Sequence, residues 1–291
     1  MTAYIYPGQG SQFCGMGKDL YDYSEDSKEL FEDANKILGF KITKIMFGQD
    51  ENALKKTNVT QPAIFTHSVI LTKILNLKPK VIAGHSLGEF SALVACNTLS
   101  FEDGLKLVSK RAKAMEDACK KYPGNMAAII GLKDEVVEDV CSKINGVITT
   151  ANFNCPGQIV ISGEKKSIQK ACKSLISIGA KRALILPVEG AFHSPLMDSA
   201  KEKLANEINR IVFKIPICPI YQNFSNNAET DPEKIKFNLI EQITSPVQWT
   251  QCIEKIIKNG TKKFIEVGPG KVLQGLVKKI NSSVKASSAN F

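Results

Sequence analysis

The sequence predicts an α/β protein in which a parallel sheet covered by helices carries a smaller inserted unit. Short apolar runs alternate with segments of helical spacing, and a strand, a glycine turn and a helix follow one another over residues 80–95. Such alternation is typical of a parallel sheet with helices on its faces. A compact series of strands and helices interrupts this pattern. We therefore expect a large unit at 1–124 and 189–291 and a small unit at 125–188.

The large unit begins with a short strand over Ala3–Tyr6. A helix is expected to start after Thr60, because threonine is a good cap and Pro62 suits an early helical position. Residues 80–83 are predicted to form a second strand that leads into the glycine turn. A Ser-x-x-Asp capping box then predicts a helix over residues 100–119.

The small unit follows the order strand, helix, strand, strand, helix, strand, with members at 126–132, 134–143, 147–153, 158–162, 166–178 and 182–188. This βαββαβ order is that of a ferredoxin-like unit. The α/β pattern then resumes with a helix from Pro195, a strand near Ile220, a helix before Gln242 and a strand over 264–267. A cleft between the two units is the expected ligand site.

Composition and charge exclude several classes of protein. The 291 residues are 43% hydrophobic and 23% charged, which is typical of a folded globular protein and not of a fibre or a disordered tail. The 38 Lys and Arg outnumber the 29 Asp and Glu, but the sequence shows no nucleic-acid recognition helix, no basic tail and no aromatic residues interleaved with the basic ones. We therefore expect no nucleic-acid partner. A net charge of +9 instead favours encounter with an acidic protein or a phosphorylated ligand.

Compartment and redox state are inferred from what the sequence lacks. The first residues show no basic flank followed by a long apolar stretch, and no segment approaches the ~20 apolar residues that span a bilayer. The eight cysteines are scattered, without a CxxC pair. We expect a cytoplasmic monomer with reduced, mostly buried thiols, no membrane contact and no metal site.

The strongest local motif is Gly84-x-Ser86-x-Gly88, which lies between a predicted strand and a predicted helix. A strained turn at that place pushes the serine hydroxyl out of the sheet edge, and the glycines permit the sharp bend. The backbone N–H of Leu87 would then point toward a developing oxyanion at the start of the helix. Ser86 is therefore the candidate nucleophile.

A serine nucleophile needs a base, and the chain has three histidines. His67 lies within an apolar helix, where we expect a packing role with satisfied nitrogens. His85 is adjacent to Ser86 and would point away from its hydroxyl. His193 lies in the loop where the chain returns to the large unit, so it is the candidate base.

Arg111 falls on the same helical face as Val108, Ala112 and Met115, which directs a guanidinium toward the core. A buried guanidinium needs an anion. The sequence leaves two interpretations open. In the first, the role is structural, and the side chain extends its charged end to solvent or pairs with an Asp or Glu. In the second, the arginine holds a ligand carboxylate or phosphate bidentately.

Three further segments are candidates for lining the cleft. The loop over residues 6–12 follows the first strand and so ends at the same sheet edge as Ser86. It has no third glycine to complete GxGxxG, and Gly268–Lys271 lacks the spacing of a P-loop, so nucleotide binding through either is not expected. Gln61 and residues 152–157 are the other candidates, although a strand-to-strand turn explains the latter equally well.

Five features occur in order along essentially the whole chain: PGQGSQ, GHSLGE, the helix with Arg111, GAFHSPLM and EVGPGKVLQGL. Together they resemble the malonyl-CoA:acyl carrier protein transacylase family of fatty acid synthesis. The resemblance implies an α/β-hydrolase-like large subdomain with an inserted ferredoxin-like small subdomain, in agreement with the βαββαβ segment.

The resemblance implies that Ser86 is the nucleophile and His193 the base. The family orients its histidine with a main-chain carbonyl in place of a triad acid, and this carbonyl falls at Gln242. The pair Phe192-His193 resembles the pair found in family members that select malonyl over branched acyl groups.

The same resemblance implies the remaining parts of the site. The backbone amides of Gln9 and Leu87 form the oxyanion hole, and Arg111 pairs with the free malonyl carboxylate. Malonyl-CoA donates its acyl group to the serine, and the phosphopantetheine thiol of an acidic acyl carrier protein receives it. No cofactor is implied, because the coenzyme A thioester is itself the substrate.

Two other classes of function compete with this interpretation. A serine esterase or thioesterase would share the turn and the base, but it would favour an acid behind His193 and a neutral acyl pocket, against which Arg111 argues. A non-catalytic carrier-binding protein would tolerate loss of Ser86 or His193, and both are present. Relaxed acyl selectivity within the family also stays open.

Overall fold

The computed structural model describes residues 1–188 and 190–291, which form a mixed α/β fold with two sheets, as predicted. The strands are, in chain order, β1 (Thr2–Tyr6), β2 (Ile82–Gly84), β3 (Gly124–Ile130), β4 (Ile148–Cys155), β5 (Gln158–Glu164), β6 (Arg182–Ile185), β7 (Ile220–Tyr221), β8 (Ala228–Glu229), β9 (Lys263–Glu266) and β10 (Lys285–Ser288). The α-helices are α1 (Lys18–Tyr23), α2 (Glu25–Leu38), α3 (Ile42–Met46), α4 (Glu51–Lys55), α5 (Thr57–Ile74), α6 (Gly88–Ala95), α7 (Phe101–Lys121), α8 (Asp134–Ser142), α9 (Lys165–Ser177), α10 (Asp198–Asn209), α11 (Pro232–Glu241), α12 (Trp249–Lys258) and α13 (Val272–Ile280).

The larger sheet has the order β10-β9-β1-β2-β7-β8 and is parallel except for the pair of β7 and β8. Successive side chains of a strand point to opposite faces, and both faces are covered. Ile5 of β1 therefore packs in one hydrophobic core and Tyr6 in another. Because the carboxyl ends of parallel strands meet at one edge, the segments that follow β1, β2 and β7 lie side by side there.

The smaller sheet is antiparallel, has the order β4-β5-β3-β6 and packs against α8 and α9. Its own hydrophobic core includes Ile161 and Leu175. Backbone hydrogen bonds join it to the larger unit: Val247 N donates to Ala151 O at 2.8 Å, and Phe153 N donates to Val247 O at 2.9 Å. These bonds hold one wall of the cleft against the edge of the larger sheet.

One predicted helix start is confirmed and another is wrong. Ser100 Oγ accepts from Asp103 N at 3.0 Å at the start of α7, as the capping box predicts. Helix α5, however, begins at Thr57 and not after Thr60. The Thr60 hydroxyl donates to the carbonyl of Leu54, so it does not serve as the cap that the sequence suggests.

The chain after the small unit also departs from the predictions. Strand β6 ends at Ile185, three residues earlier than expected, and the predicted boundary at residue 189 lies outside the described residues. Residues Pro195–Met197 form a 3-10 turn capped by Ser194, and the α-helix begins at Asp198. The sequence patterns also did not predict helices α1 to α4, α12 and α13 or strands β8 and β10.

All eight cysteines lie in the described residues as free thiols, six of them buried, as predicted. Burial raises the pKa of the Cys141 and Cys252 thiols, which keeps them protonated and unreactive. Within residues 1–188 and 190–291, no helix combines the length and the apolar composition that crossing a lipid bilayer requires.

Candidate active site

The turn between β2 and α6 holds Ser86 in a left-handed backbone conformation, with φ 51°. A non-glycine residue is strained there, and such strain persists only where the surrounding structure enforces it. The two glycines leave no room for a side chain: a Cβ on Gly84 would lie 2.0 Å from the Gly88 carbonyl carbon, and one on Gly88 would lie 2.0 Å from Tyr6 O. The motif therefore forms the sharp strand-to-helix turn that the sequence predicts, and Ser86 lines the cavity beside it.

Ser86 and His193 are in direct contact. The Ser86 Oγ lies 2.8 Å from His193 Nε2, and His193 Nδ1 donates to the backbone carbonyl of Gln242 at 2.8 Å. Because a carbonyl oxygen only accepts, the proton of the neutral imidazole sits on Nδ1 and leaves Nε2 free to accept from the serine hydroxyl. The structure thus brings together the three residues that the sequence and the resemblance selected.

The environment of His193 keeps its imidazole neutral. Burial lowers the pKa of His193 to about 3, and the positive charge of Arg111 adds to this effect. The hydrogen bond to Gln242 opposes the shift, because the carbonyl oxygen favours the charged ring. The ring is therefore uncharged at physiological pH, which is the form that a general base needs.

Arg111 is 1% exposed and lines the cavity beside Ser86. Its Nη1 donates to Gln61 Oε1 at 2.7 Å. Its Nη2 donates to Ser86 Oγ at 3.0 Å and to Gln242 Oε1 at 3.4 Å. In the described part of the chain, no Asp or Glu forms an ion pair with Arg111, and its Nε has no hydrogen-bond partner. Each partner that the guanidinium does have is neutral.

Among residues 1–188 and 190–291, the charge of Arg111 is therefore left without a paired anion. Burial lowers the pKa of Arg111 to about 10, with the more distant charge of Glu89 opposing the shift, so the side chain stays charged at neutral pH. Burying a cation without an anion costs free energy. Of the two interpretations that the sequence left open, the structural one is wrong for the described residues, because Arg111 neither reaches solvent nor forms an ion pair among them. The binding of an anionic ligand remains.

The loop after β1 packs directly against the turn that holds Ser86. A Cβ on Gly8 would lie 2.5 Å from His85 O, so the close approach of the two backbones needs glycine. Gln9 follows and lines the same cavity as Ser86 and Leu87. Among the residues that the structure describes, none accepts a hydrogen bond from the backbone N–H of Gln9 or of Leu87. Two unpaired donors beside a serine hydroxyl are what an oxyanion hole requires.

The cavity has a volume of about 490 Å³ and lies between the two units. Its apolar lining comes from both of them: Met115, Met126, Val160, Leu186 and Phe192. Gln61, Asn152 and Asn154, which the sequence left as candidates, line it as well. Apolar walls around a few polar groups are typical of a small-molecule site. Within 1–188 and 190–291, no group of three or more His, Cys, Asp or Glu residues could hold a metal ion.

The other two histidines have different surroundings. His85 Nε2 lies 2.9 Å from Asn154 Oδ1, and its ring meets Trp249 edge-on. His67 is buried, as predicted, but the expectation of satisfied nitrogens is wrong: its Nδ1 has no partner among the described residues. Burial lowers the pKa of His67 to about 4, so this ring is uncharged at neutral pH.

Two polar residues at the turn were not predicted. Asn223 Oδ1 accepts from Ser86 N at 2.7 Å, and Asn223 Nδ2 donates to Gly84 O at 2.7 Å. Glu89 is fully buried and accepts from Asn223 N at 2.5 Å. The one available signal was the position of Asn223 just after the strand predicted near Ile220. The contact itself depends on which strand neighbours β2, and the sequence does not reveal that order.

Known proteins match this sequence along almost its whole length. The family model of the acyl transferase domain matches residues 3–290. The chain belongs to this acyl transferase family. A malonyl CoA-acyl carrier protein transacylase from Staphylococcus aureus (strain MRSA252) is 44% identical over 291 residues, covering 99% of this chain and 94% of the relative.

Solved acyl transferase structures share the fold. An acyl carrier protein S-malonyltransferase from Vibrio cholerae O1 biovar eltor has a TM-score of 0.95 and 40% identity, covering 99% of this chain and 96% of that one. A malonyl-transacylase in complex with its type II PKS acyl-carrier protein has a TM-score of 0.96 and 37% identity, with 99% and 96% covered. The chain is thus an acyltransferase, and the predicted membership of the malonyl-CoA:acyl carrier protein transacylase family is confirmed.

Proposed function

We propose that this acyl transferase moves a malonyl group from malonyl-CoA to the phosphopantetheine thiol of an acyl carrier protein, by way of an acyl-serine at Ser86. One observation carries the proposal: the buried guanidinium of Arg111, which has no ion-pair partner among the described residues, lies 3.0 Å from the Ser86 hydroxyl. An acyl group with a carboxylate at its far end can bind that cation while its thioester carbon contacts the serine. The names of the relatives, a malonyl CoA-acyl carrier protein transacylase and an S-malonyltransferase, support the same reaction.

In the first half-reaction, His193 Nε2 takes the proton of the Ser86 hydroxyl while Oγ bonds to the malonyl carbonyl carbon. The hydrogen bond from Nδ1 to the carbonyl of Gln242 stabilises the imidazolium that forms. The tetrahedral intermediate collapses when its carbon–sulfur bond breaks. The coenzyme A sulfur then leaves with the proton held by His193.

In the second half-reaction, the carrier thiol gives its proton to His193, and its sulfur bonds to the acyl carbon. The Ser86 oxygen leaves and takes the proton back. The N–H groups of Gln9 and Leu87 donate to the oxyanion of both tetrahedral intermediates, and removing one such donor typically costs about 100- to 1000-fold in rate. Both steps exchange one acyl ester or thioester for another, so the proposal includes no cofactor.

The proposed acceptor is an acidic acyl carrier protein, which this chain would meet as a monomer. A net charge of +9 favours encounter with an acidic partner. The solved complex of a malonyl-transacylase with its acyl-carrier protein supports a carrier as the acceptor. Because malonyl-CoA is also anionic, the same charge attracts the donor.

For the architecture, we propose an α/β-hydrolase-like large subdomain with a ferredoxin-like small subdomain inserted at 125–188. The element order β3, α8, β4, β5, α9, β6 and the antiparallel strand order β4-β5-β3-β6 support the second assignment. The parallel sheet with Ser86 in the turn after β2 supports the first.

The proposal is tested by intact-protein mass spectrometry after brief mixing with malonyl-CoA. We expect one malonyl group on the parent chain and none on Ser86→Ala, whereas Ser142→Ala, which alters an exposed serine of α8, should be labelled like the parent. Adding carrier protein with its phosphopantetheine arm should discharge the adduct onto the carrier. An adduct that water removes equally fast without carrier would indicate a thioesterase, and no adduct on the folded parent would contradict the proposal.

A further inference from the structure

Asn223, which the proposed reaction does not use, binds the turn that carries the nucleophile at two points. It is fully buried and lies two residues after the end of β7. Its Oδ1 accepts from Ser86 N at 2.7 Å, and its Nδ2 donates to Gly84 O at 2.7 Å. The last residues paired between β2 and β7 are Ala83 and Tyr221. The side chain of Asn223 therefore continues the hydrogen bonding between these strands beyond the point where their backbone pairing ends.

Ser86 needs such support because its backbone is strained. A residue with φ 51° stays in that conformation only when its neighbours hold it there. On the other side, β1 supports the turn through a hydrogen bond from His85 N to Tyr6 O at 2.9 Å. Asn223 supplies the acceptor for Ser86 N itself, and without it this amide of the strained residue would lose its partner.

Glu89 in turn holds Asn223. It lies in the first turn of α6, three residues after Ser86, and is fully buried. Its Oε1 accepts from Asn223 N at 2.5 Å, and its Oε2 accepts from Gln222 Nε2 at 3.3 Å. Burial raises the pKa of Glu89 to about 7, although these hydrogen bonds oppose the shift. Helix α6, which begins just after Ser86, thus carries the residue that holds Asn223 in place, and Asn223 supports Ser86.

We propose that Asn223 is a positioning residue, which keeps Ser86 in the strained conformation from which its Oγ reaches His193, and that Glu89 anchors Asn223. Neither Asn223 nor Glu89 is among the described residues that line the cavity, so both would act through the turn without touching the acyl group. The inference rests on the proposed function in taking Ser86 as the nucleophile. Misplacing a reacting group by about 1 Å can cost about 100-fold in rate.

The decisive variant is Asn223→Ala, with Asn35→Ala as its matched control. Asn35 is also a buried asparagine that bonds a backbone N–H, that of Thr43, but it lies away from the cavity lining. For each variant we would measure thermal unfolding, the rate of malonyl-Ser86 formation in rapid mixing, and the KM for malonyl-CoA. Labelling of Ser86 by a fluorophosphonate would report its reactivity independently of malonyl recognition.

For Asn223→Ala we expect acylation and fluorophosphonate labelling to fall by about 10- to 100-fold per folded molecule, while KM changes by less than about threefold. Asn35→Ala should lose stability without changing either rate. If the acylation rate of Asn223→Ala is within about threefold of the parent's rate, the positioning role is overturned. The adduct on the parent would in that case still support the proposed function. No adduct on the parent would instead contradict the proposed function.

Asn223→Asp decides the question if the alanine variant does not fold. The ionised aspartate has the same shape and keeps an acceptor for Ser86 N, but it places an oxygen against Gly84 O and so loses that hydrogen bond. Because burial favours the protonated carboxyl, which could still donate, the rate is compared at alkaline pH. We expect a loss in acylation rate of about tenfold, again with little change in KM. An unchanged rate in this variant would overturn the proposal.

Discussion

Arg111 donates a hydrogen bond from Nη2 to the hydroxyl of Ser86 at 3.0 Å, although 25 residues separate the two along the chain. The same hydroxyl lies 2.8 Å from His193 Nε2, so it accepts from a cation and donates to a neutral base. The cation that would select the acyl group therefore also touches the atom that would attack it. In the proposed reaction, a single buried side chain would thus couple recognition of the substrate carboxylate to the nucleophile.

Arg111→Ala should lower malonyl transfer and weaken the preference for malonyl over acetyl. A hydrogen bond to a charged group contributes about 1.5–3 kcal/mol, so we expect kcat/KM for malonyl-CoA to fall by about 10- to 100-fold. For acetyl-CoA, whose acyl group has no carboxylate, kcat/KM should fall less or rise. Steady-state assays with both thioesters measure the ratio, with Arg210→Ala, an exposed arginine, as the control. Unchanged selectivity would rule out the carboxylate-binding role.

His193 should remain neutral far below the usual pKa of histidine. Burial, with help from the charge of Arg111, lowers the pKa of His193 to about 3, so the neutral base persists as pH falls from 8 to 5. NMR of the imidazole, assigned by comparison with His193→Gln, measures this directly. In Arg111→Ala the pKa should rise, because a nearby positive charge is gone. Half-titration near pH 6.5 in the parent protein would contradict the prediction.

Gly84→Ala and Gly275→Ala should have opposite effects on stability. A Cβ on Gly84 would overlap the backbone at Gly88, so we expect the free energy of unfolding to fall by about 3 kcal/mol or more. Gly275 lies within α13 with open space around its Cβ position, so alanine should stabilise the helix by about 0.5–1 kcal/mol. Urea unfolding measures both, and a Gly84→Ala protein as stable as the parent would contradict the packing argument.

His67 should make the protein less stable in mild acid. Its pKa is about 4 in the folded chain, against about 6.5 for an unperturbed histidine. Between these two pH values, the unfolded chain binds a proton at this histidine and the folded chain does not. Stability is therefore lost as pH falls from 6.5 toward 4. Between pH 7 and pH 5, His67→Gln should lose about 2 kcal/mol less than the parent in urea unfolding. Equal losses in the two proteins would exclude His67 as the cause.

The turn at Ser86 was predictable because its determinants are local. The glycine spacing and the flanking strand and helix can be seen in one short stretch, and the contact between Gly84 and Gly88 lies within that stretch. His193 was found by elimination, since the chain has only three histidines. The predicted helix start at Thr60 was wrong although its determinant is also local, because the Thr60 hydroxyl donates to the carbonyl of Leu54 before the helix and caps nothing.

By itself, the sequence determined the α/β class, the nucleophile turn and the pairing of Ser86 with His193, because periodicity, caps and glycine spacing are properties of short segments. Only the tertiary structure decided that Arg111 has no ion pair among the described residues and that Asn223 supports the turn. Both facts depend on distances between residues far apart in the chain. Strand order and the packing of helices on the sheet set those distances, and no local pattern encodes them.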